Sequence, residues 1–255
     1  MKRAAITLLL MIGGNASLYA DTIDIDVTVR DFKAYWEVGG HPDFEQYLGS
    51  DPGIVETTLG ADGKPVYNTA TSNPTVTSKA SFDQWYRDVS GVNLSTTKTL
   101  TLDNGSASPG GVYTFSSSSF FPIDGELYGD YAYGHNYHFT LEMHTAFTYV
   151  AGQTFSFTGD DDLWVFINDT LVIDLGGVHG PESGSVSLDT LGLTSGETYD
   201  LDLFFAERRT TGSNFRIDTT IESLVSVPVP APAPLGLLGL GLLALGRLRK
   251  SAARH

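Results

Sequence analysis

The chain contains no cysteine. That absence excludes disulfides, thiol nucleophiles, iron–sulfur clusters and thiolate zinc sites, and leaves an exported domain dependent on its apolar core or on a bound metal. Basic residues are scarce as well. Every Asp and Glu lies between residues 21 and 223, whereas six of the 15 Lys and Arg sit at the two ends, so the middle carries 30 acidic against 9 basic groups, a net of −21. A charge of that size argues against nucleic acid and against direct docking on anionic lipid, and suits calcium and neutral polar partners such as sugars. Helical periodicity is also sparse. The best short-helix candidate is residues 81–89, with Phe82, Trp85 and Tyr86 at helical spacing.

Strand patterns dominate the rest. Residues 22–30 alternate strictly as a half-buried strand, residues 98–102 alternate again, and 138–149 read as a long strand with one mostly apolar face. Short strands then follow at 154–157, 163–167, 171–175, 185–188, 198–206 and 214–221, separated by Gly, Asn and Asp turns. Asn168-Asp169-Thr170 between two apolar strands reads as a hairpin turn. Segments 39–80 and 103–136 are loop-rich. Strands at this spacing predict an all-β, antiparallel β-sandwich. About two hundred residues suffice for one sizeable core.

Both ends carry targeting signals. In residues 1–20, Lys2 and Arg3 precede a short apolar stretch and small residues around Ala20, the pattern of a secretory signal peptide. At the other end, residues 224–234 hold Pro228, Pro230, Pro232 and Pro234, which favour an extended stalk. Residues 235–255 supply an uncharged apolar run, predicted to form a hydrophobic helix, and the basic residues Arg247, Arg249, Lys250 and Arg254. The apolar run is short for a bilayer span of about twenty residues, and the basic cluster orients it towards the cytoplasm. The order of proline motif, apolar helix and basic tip resembles the PEP-CTERM sorting signal of Gram-negative bacteria, although the motif Val227-Pro228-Val229-Pro230-Ala231-Pro232 lacks the usual Glu. That resemblance implies an exosortase-type sorting enzyme as a partner, and a protein exported to the cell surface or extracellular matrix that meets the membrane only through its C-terminal segment.

The most informative run is Gly159-Asp160-Asp161-Asp162-Leu163-Trp164-Val165-Phe166-Ile167-Asn168. Three adjacent carboxylates repel one another unless water or a cation takes up their charge, and a hard cation with oxygen ligands, calcium above all, fits them. The plainer alternative is a solvated acidic turn. Strand alternation would place Asp160 and Asp162 on one side and Asp161 on the other, so a regular strand cannot aim Asp160 and Asp161 at one ion. In the same alternation Trp164 shares a face with Phe166 and reads as core.

Together with His41-Pro42-Asp43-Phe44-Glu45, Phe120-Phe121-Pro122-Ile123-Asp124-Gly125, Asp174-Leu175-Gly176-Gly177-Val178-His179 and residues 206–216, this run resembles the fibro-slime domain of secreted and cell-surface proteins, over nearly all of 21–223. Residues from about 150 to 222 also resemble the anthrax protective-antigen-type β-sandwich, of jelly-roll type. That resemblance implies a cis peptide between Asp160 and Asp161, calcium bound by both carboxylates, and sugar hydroxyls bound by the calcium. It makes Asn214 the ligand from a second loop. Glu207 and Ser213, in the same polar loop, are candidates for substrate contact, and Glu207 is equally suited to an ion pair with Arg208, Arg209 or Arg216. His179 either touches a sugar or caps a turn, and Asp174 ends a strand and supports the loop.

Two further groups stand out. Tyr128, Tyr131 and Tyr133, in a Gly-rich loop, suit an exposed aromatic platform. His138, Glu142 and His144 share a strand face and offer a His-and-carboxylate set for zinc, against ordinary structural roles. The resulting expectation is a non-enzymatic surface protein that binds glycan or exopolysaccharide through calcium. The alternatives are a calcium-stabilised matrix module without sugar affinity and a glycoside hydrolase, which would need two carboxylates about 5–10 Å apart across a cleft.

Overall fold

Residues 22–105 and 111–228 are described by the computed structural model. In chain order the strands are β1 (Thr22–Asp31), β2 (Gly49–Ser50), β3 (Leu94–Asp103), β4 (Tyr113–Ser117), β5 (Phe139–Thr148), β6 (Thr154–Gly159), β7 (Asp162–Ile167), β8 (Thr170–Leu175), β9 (Gly177–Val178), β10 (Glu182–Ser187), β11 (Thr198–Glu207), β12 (Phe215–Thr219) and β13 (Val225–Ser226), with a short helix α1 (Lys79–Phe82). Neighbouring strands follow the order β10-β6-β12-β4-β3-β1-β5-β11-β7-β8, with β13 added to β5, and every pairing is antiparallel. The two ends of this order meet: a Cβ on Gly184 of β10 would lie 2.5 Å from Ile173 Cγ2 of β8. The sheet therefore folds over itself into an antiparallel β-sandwich, and β1, β3 and β4 from the first half share it with the later strands.

Alternation sorts the side chains into two cores. Ile25, Val27, Leu141, Met143, Phe157, Leu163, Val165, Leu203, Phe205, Phe215 and Ile217 point between the layers. Trp164 and Phe166 of β7, with Phe204 and Ala206 of β11, point the other way, into a second core formed with Phe32, Phe44, Ile54, Val55, Val76, Phe82, Trp85 and Tyr86. Both faces of β7 are thus buried, which is why its sequence reads as a continuous apolar run. The segment between β1 and β3 has almost no regular structure yet covers that outer face.

The turn at Asn168 and Asp169 joins β7 to β8 with φ of 51° and 59°, the left-handed pair of a type I′ hairpin. The helix is shorter and earlier than the spacing predicts. It is capped by Ser78 and ends at Phe82, and Trp85 and Tyr86 reach the second core from turns. Strand β4 lies in a stretch read as loop, because its Ser and Thr residues hide the alternation. Packing also continues beyond residue 223: Leu224 is buried and Val225–Ser226 pair with β5. Among the described residues no helix is long and apolar enough to cross a membrane. The signal segment 1–20, most of the stalk and the expected C-terminal helix lie outside them.

His138, Glu142 and His144 take ordinary structural roles rather than the zinc alternative. His138 Nε2 lies 2.9 Å from Glu45 Oε2, and His144 Nδ1 lies 2.7 Å from Asp202 Oδ1. Glu142 pairs with Lys64 Nζ at 2.5 Å and Arg30 Nη1 at 3.2 Å. Glu45 and Lys64 come from the covering segment, and their contacts clamp it to the sheet. Burial works to raise the Glu142 pKa, but His144, Arg30 and Lys64 outweigh it and hold the group at about 2. Because that is below its ordinary 4.5, the stabilisation from Glu142 is complete above about pH 4.5 and fades as the pH falls towards 2. Glu142→Gln leaves two buried cations short of an anion and should cost about 3–5 kcal/mol at pH 7 in urea denaturation. A loss below about 1 kcal/mol would show that the clamp adds little.

Candidate functional site

Three loops meet at one edge of the sandwich: the β6–β7 connection, the β11–β12 connection and the turn after β9. Gly159 lets the first two touch. A Cβ there would sit 2.4 Å from Asn214 O and 2.7 Å from the Phe157 ring, so any side chain would force the loops apart. The contact aligns Asn214 with Asp160. Asn214 N donates to Asp160 Oδ1 at 2.5 Å, and Asn214 Nδ2 donates to Oδ2 at 2.9 Å, leaving the Asn214 amide oxygen outside both bonds.

The Asp160–Asp161 peptide is cis, as the resemblance implies, and so is Thr210–Thr211 across the cleft. Asp160, Asp161, Leu48, Val178, His179, Arg209 and Thr210–Gly212 line an opening of about 200 Å³. Asp161 Oδ2 accepts from Arg208 N at 3.0 Å. Burial raises the Asp161 pKa well above its usual value; the Arg208 charge opposes this, and the charges of Asp162 and Asp160 add to it.

Asp162 plays a different part. It is fully buried, its carboxylate holding Arg208 Nε at 2.6 Å and Nη2 at 3.0 Å while accepting from Gly177 N at 2.6 Å. Arg208 continues to Thr75 O at 2.7 Å and lies over the Trp85 ring at 4.6 Å. The solvated-turn reading is therefore corrected: Asp160, Asp161 and Asp162 are only 8%, 6% and 0% exposed.

Glu207 and Ser213 are buried too, which corrects their expected contact with substrate. Glu207 makes none of the ion pairs considered for it, since Arg208 is taken by Asp162 and Arg216 by Asp218. Burial raises the Glu207 pKa well above its usual value, and Asp161 and Asp160 raise it further, against smaller lowering by Ser213 and the Arg209 amide. The Ser213 hydroxyl lies against the Glu207 carboxylate, and neither Glu207 Oε2 nor Ser213 Oγ has a further hydrogen-bond partner.

His179 has its ring nitrogens 2.8 Å from Gly180 O and 3.3 Å from Leu175 O, a turn-supporting role at the cleft wall. Asp174 braces the neighbouring loops by accepting from Gly53 N and Trp164 Nε1, and Trp164 is core. Sequence reasoning missed Leu48 and gave Arg209, Thr210 and Thr211, within the 206–216 motif, no place beside Asp160, which they reach only through sheet register. Among the described residues no group of three or more His, Asp or Glu is arranged as a preformed metal site. The donors nonetheless fit a hard cation: two clustered aspartates, an amide oxygen and, beside them, a buried carboxylate with an orphaned oxygen.

Residues 122–226 match the model of the PA14 domain. Protein psiR of Dictyostelium discoideum is 42% identical over 197 residues, covering 71% of this chain and 20% of psiR. Protein psiC of the same organism is 37% identical over 240 residues, covering 87% of this chain and 45% of psiC. The chain thus spans less than half the length of these curated relatives. A solved PA14 sugar-binding domain from an RTX adhesin aligns over 80% of this chain and 95% of its own, with a TM-score of 0.34 and 11% identity.

Two variants separate the roles of the acidic run. Asp162→Asn strands a buried guanidinium and should cost about 3–5 kcal/mol in urea denaturation; a loss below 1 kcal/mol would deny Arg208–Asp162 its bracing role. Glu207→Gln should do the reverse in chelator. The native pKa of Glu207 is raised, so above its ordinary 4.5 the unfolded chain releases a proton that the folded chain retains, and cation-free stability falls as pH rises through that window. The expected result is a higher melting midpoint than the parent at pH 7 and no difference near pH 4. Equal midpoints at both pH values would mean that the Glu207 charge is already compensated.

Proposed function

We propose that the PA14 domain of this chain is a calcium-dependent glycan-binding module of an exported surface or matrix protein. The observation that carries this reading is the meeting of Asp160 and Asp161 at a cleft, with Asn214 held against Asp160. Asp160, Asp161 and Asn214 would hold the ion from the cleft side, and Glu207 would neutralise it from behind. A calcium ion takes about six to eight oxygen ligands, so a site with this few protein donors offers its remaining positions to sugar hydroxyls. The chain's own part is to orient: Asn214 fixes Asp160, Arg208 N fixes Asp161, and Thr210 and Thr211 wall the opening. The PA14 match over residues 122–226 supports the glycan side of the reading. The signal-like start and the sorting-signal-like tail support export and an exosortase-type partner.

Glu207 favours a second reading, a calcium-stabilised structural module, because its burial makes charge relief a matter of stability whether or not sugar binds. A melting titration of the full chain tests the shared premise. Calcium at about a hundred times its dissociation constant should add about 2.7 kcal/mol, or about 5–10 °C, with little response to magnesium and none in the Asp160→Asn/Asp161→Asn double variant. No calcium response at millimolar levels, or the same response in the double variant, would remove the site. If the response is present, a glycan array probed with and without calcium separates the two readings.

A further inference from the structure

Among the described residues outside the cleft, one cluster of aromatic rings is exposed. Tyr35 is 46% and Trp36 is 52% exposed. Their rings lie 4.7 Å apart at 73°, and Trp36 lies 5.9 Å from Tyr131 at 50°. Single exposed aromatics are ordinary, but rings gathered on one turn leave apolar faces that water solvates poorly. The turn beneath them is fixed. Gly40 N donates to Glu37 O and Ala34 N donates to Glu37 Oε2, and a Cβ on Gly40 would fall 1.9 Å from Ala34 O.

This shelf is joined to the cleft by direct contacts. Tyr131 packs on His138 with ring centroids 4.6 Å apart, and His138 Nε2 lies 2.9 Å from Glu45 Oε2. Glu45 in turn accepts from Thr210 N at 3.0 Å and from Thr210 Oγ1 at 2.6 Å, and Thr210 lines the cleft beside Asp160 and Asp161. The link passes through the buried His138 and Glu45, and it sets oxygen acceptors and hydroxyls at the cleft a few contacts away from tilted aromatic faces at the shelf. Pyranose rings present the same two chemistries, with hydroxyls around the rim and C–H groups on the faces, and aromatic faces suit the latter.

We infer that Trp36, Tyr35 and Tyr131 form a second subsite that stacks the neighbouring sugar of a chain whose first sugar sits at the Asp160–Asp161 cleft, so that the ligand is an oligosaccharide rather than a monosaccharide. The inference rests on the proposed glycan-binding function and names the ligand class for that site. The fixed turn lowers the ordering cost of stacking, so the shelf contributes to affinity without rearrangement.

Tryptophan fluorescence reads the shelf directly. Trp85 and Trp164 are fully buried, which leaves Trp36 as the accessible indole of the three. The full chain in calcium is titrated with glucose, mannose and galactose and with linear tetrasaccharides of each, following acrylamide quenching and affinity. One tetrasaccharide should bind about tenfold or more tighter than its monosaccharide and shield Trp36. Trp36→Ala and Tyr131→Ala should remove that advantage and leave the monosaccharide affinity unchanged, while Trp36→Phe retains most of it. Calcium-dependent monosaccharide binding with no tetrasaccharide gain and no shielding would overturn the shelf and leave the cleft standing. Shielding that persists in the Asp160→Asn/Asp161→Asn variant would keep the shelf and sink the cleft. Binding of none of the probes would count against both. A sugar-free dimer with Trp36 shielded, made monomeric by Trp36→Ala, would assign the shelf to a second copy and overturn the inference.

Discussion

The Arg208–Asp162 pair is the constraint on which the site depends. Both side chains are fully buried, and the pair joins the end of β11 to the start of β7. Burying two charges is costly, and a pair of this kind often stabilises no better than apolar residues of the same volume. What it supplies is placement. The Arg208 guanidinium is fixed by Asp162, Thr75 and the Trp85 ring, and this fixes the Arg208 backbone amide that Asp161 accepts. Asp162 is occupied by bracing, and Asp160 and Asp161 are the two members of the run that face the cleft.

The second core explains why an irregular segment between β1 and β3 is needed at all. Without it the outer faces of β7 and β11, with Trp164, Phe166 and Phe204, would meet water. Burial of side chains of this size contributes about 1.5–3 kcal/mol each, enough to order a segment with little hydrogen-bonded structure of its own. The same segment delivers Glu45 to Thr210 and Thr75 to Arg208, so the covering layer and the cleft are built from the same contacts.

Much of this was legible in the sequence where a single strand carried the signal. The alternation in β1, the apolar run of β7 and the turn at Asn168 and Asp169 are local properties, and each falls where its pattern indicates. The covering segment was legible only as loop, because Phe44, Ile54, Val55 and Val76 follow no period. Asp160, Asp161 and Asn214 were placed by resemblance, and the structure brings Asn214 into contact with Asp160. The role of Asp162 was not readable, since its partner lies 46 residues away and is chosen by the register of β11 on β7. The burial of Glu207 was hidden for the same reason: a carboxylate in a polar loop reads as exposed until the neighbouring loops are folded over it.

Charge distribution then determines what the cleft can accept. The middle of the chain has nine basic side chains, and most are occupied far from the cleft. Arg30 and Lys64 serve Glu142, Lys79 serves Asp83, Arg87 serves Asp62, Lys98 serves Glu126, Arg208 serves Asp162 and Arg216 serves Asp218. Lys33 lies over Tyr128, and Arg209, though at the cleft wall, donates to the carbonyl of Glu45. Asp161, only partly offset by Arg208, and Glu207 are therefore left to share their charge with protons or with a cation from solution. Protons would neutralise Asp161 and Glu207 at the expense of their acceptors, whereas a hard cation would offset the same charge and leave those acceptors free. In the proposed function a cation takes this place and presents its remaining positions to a polyhydroxylated ligand.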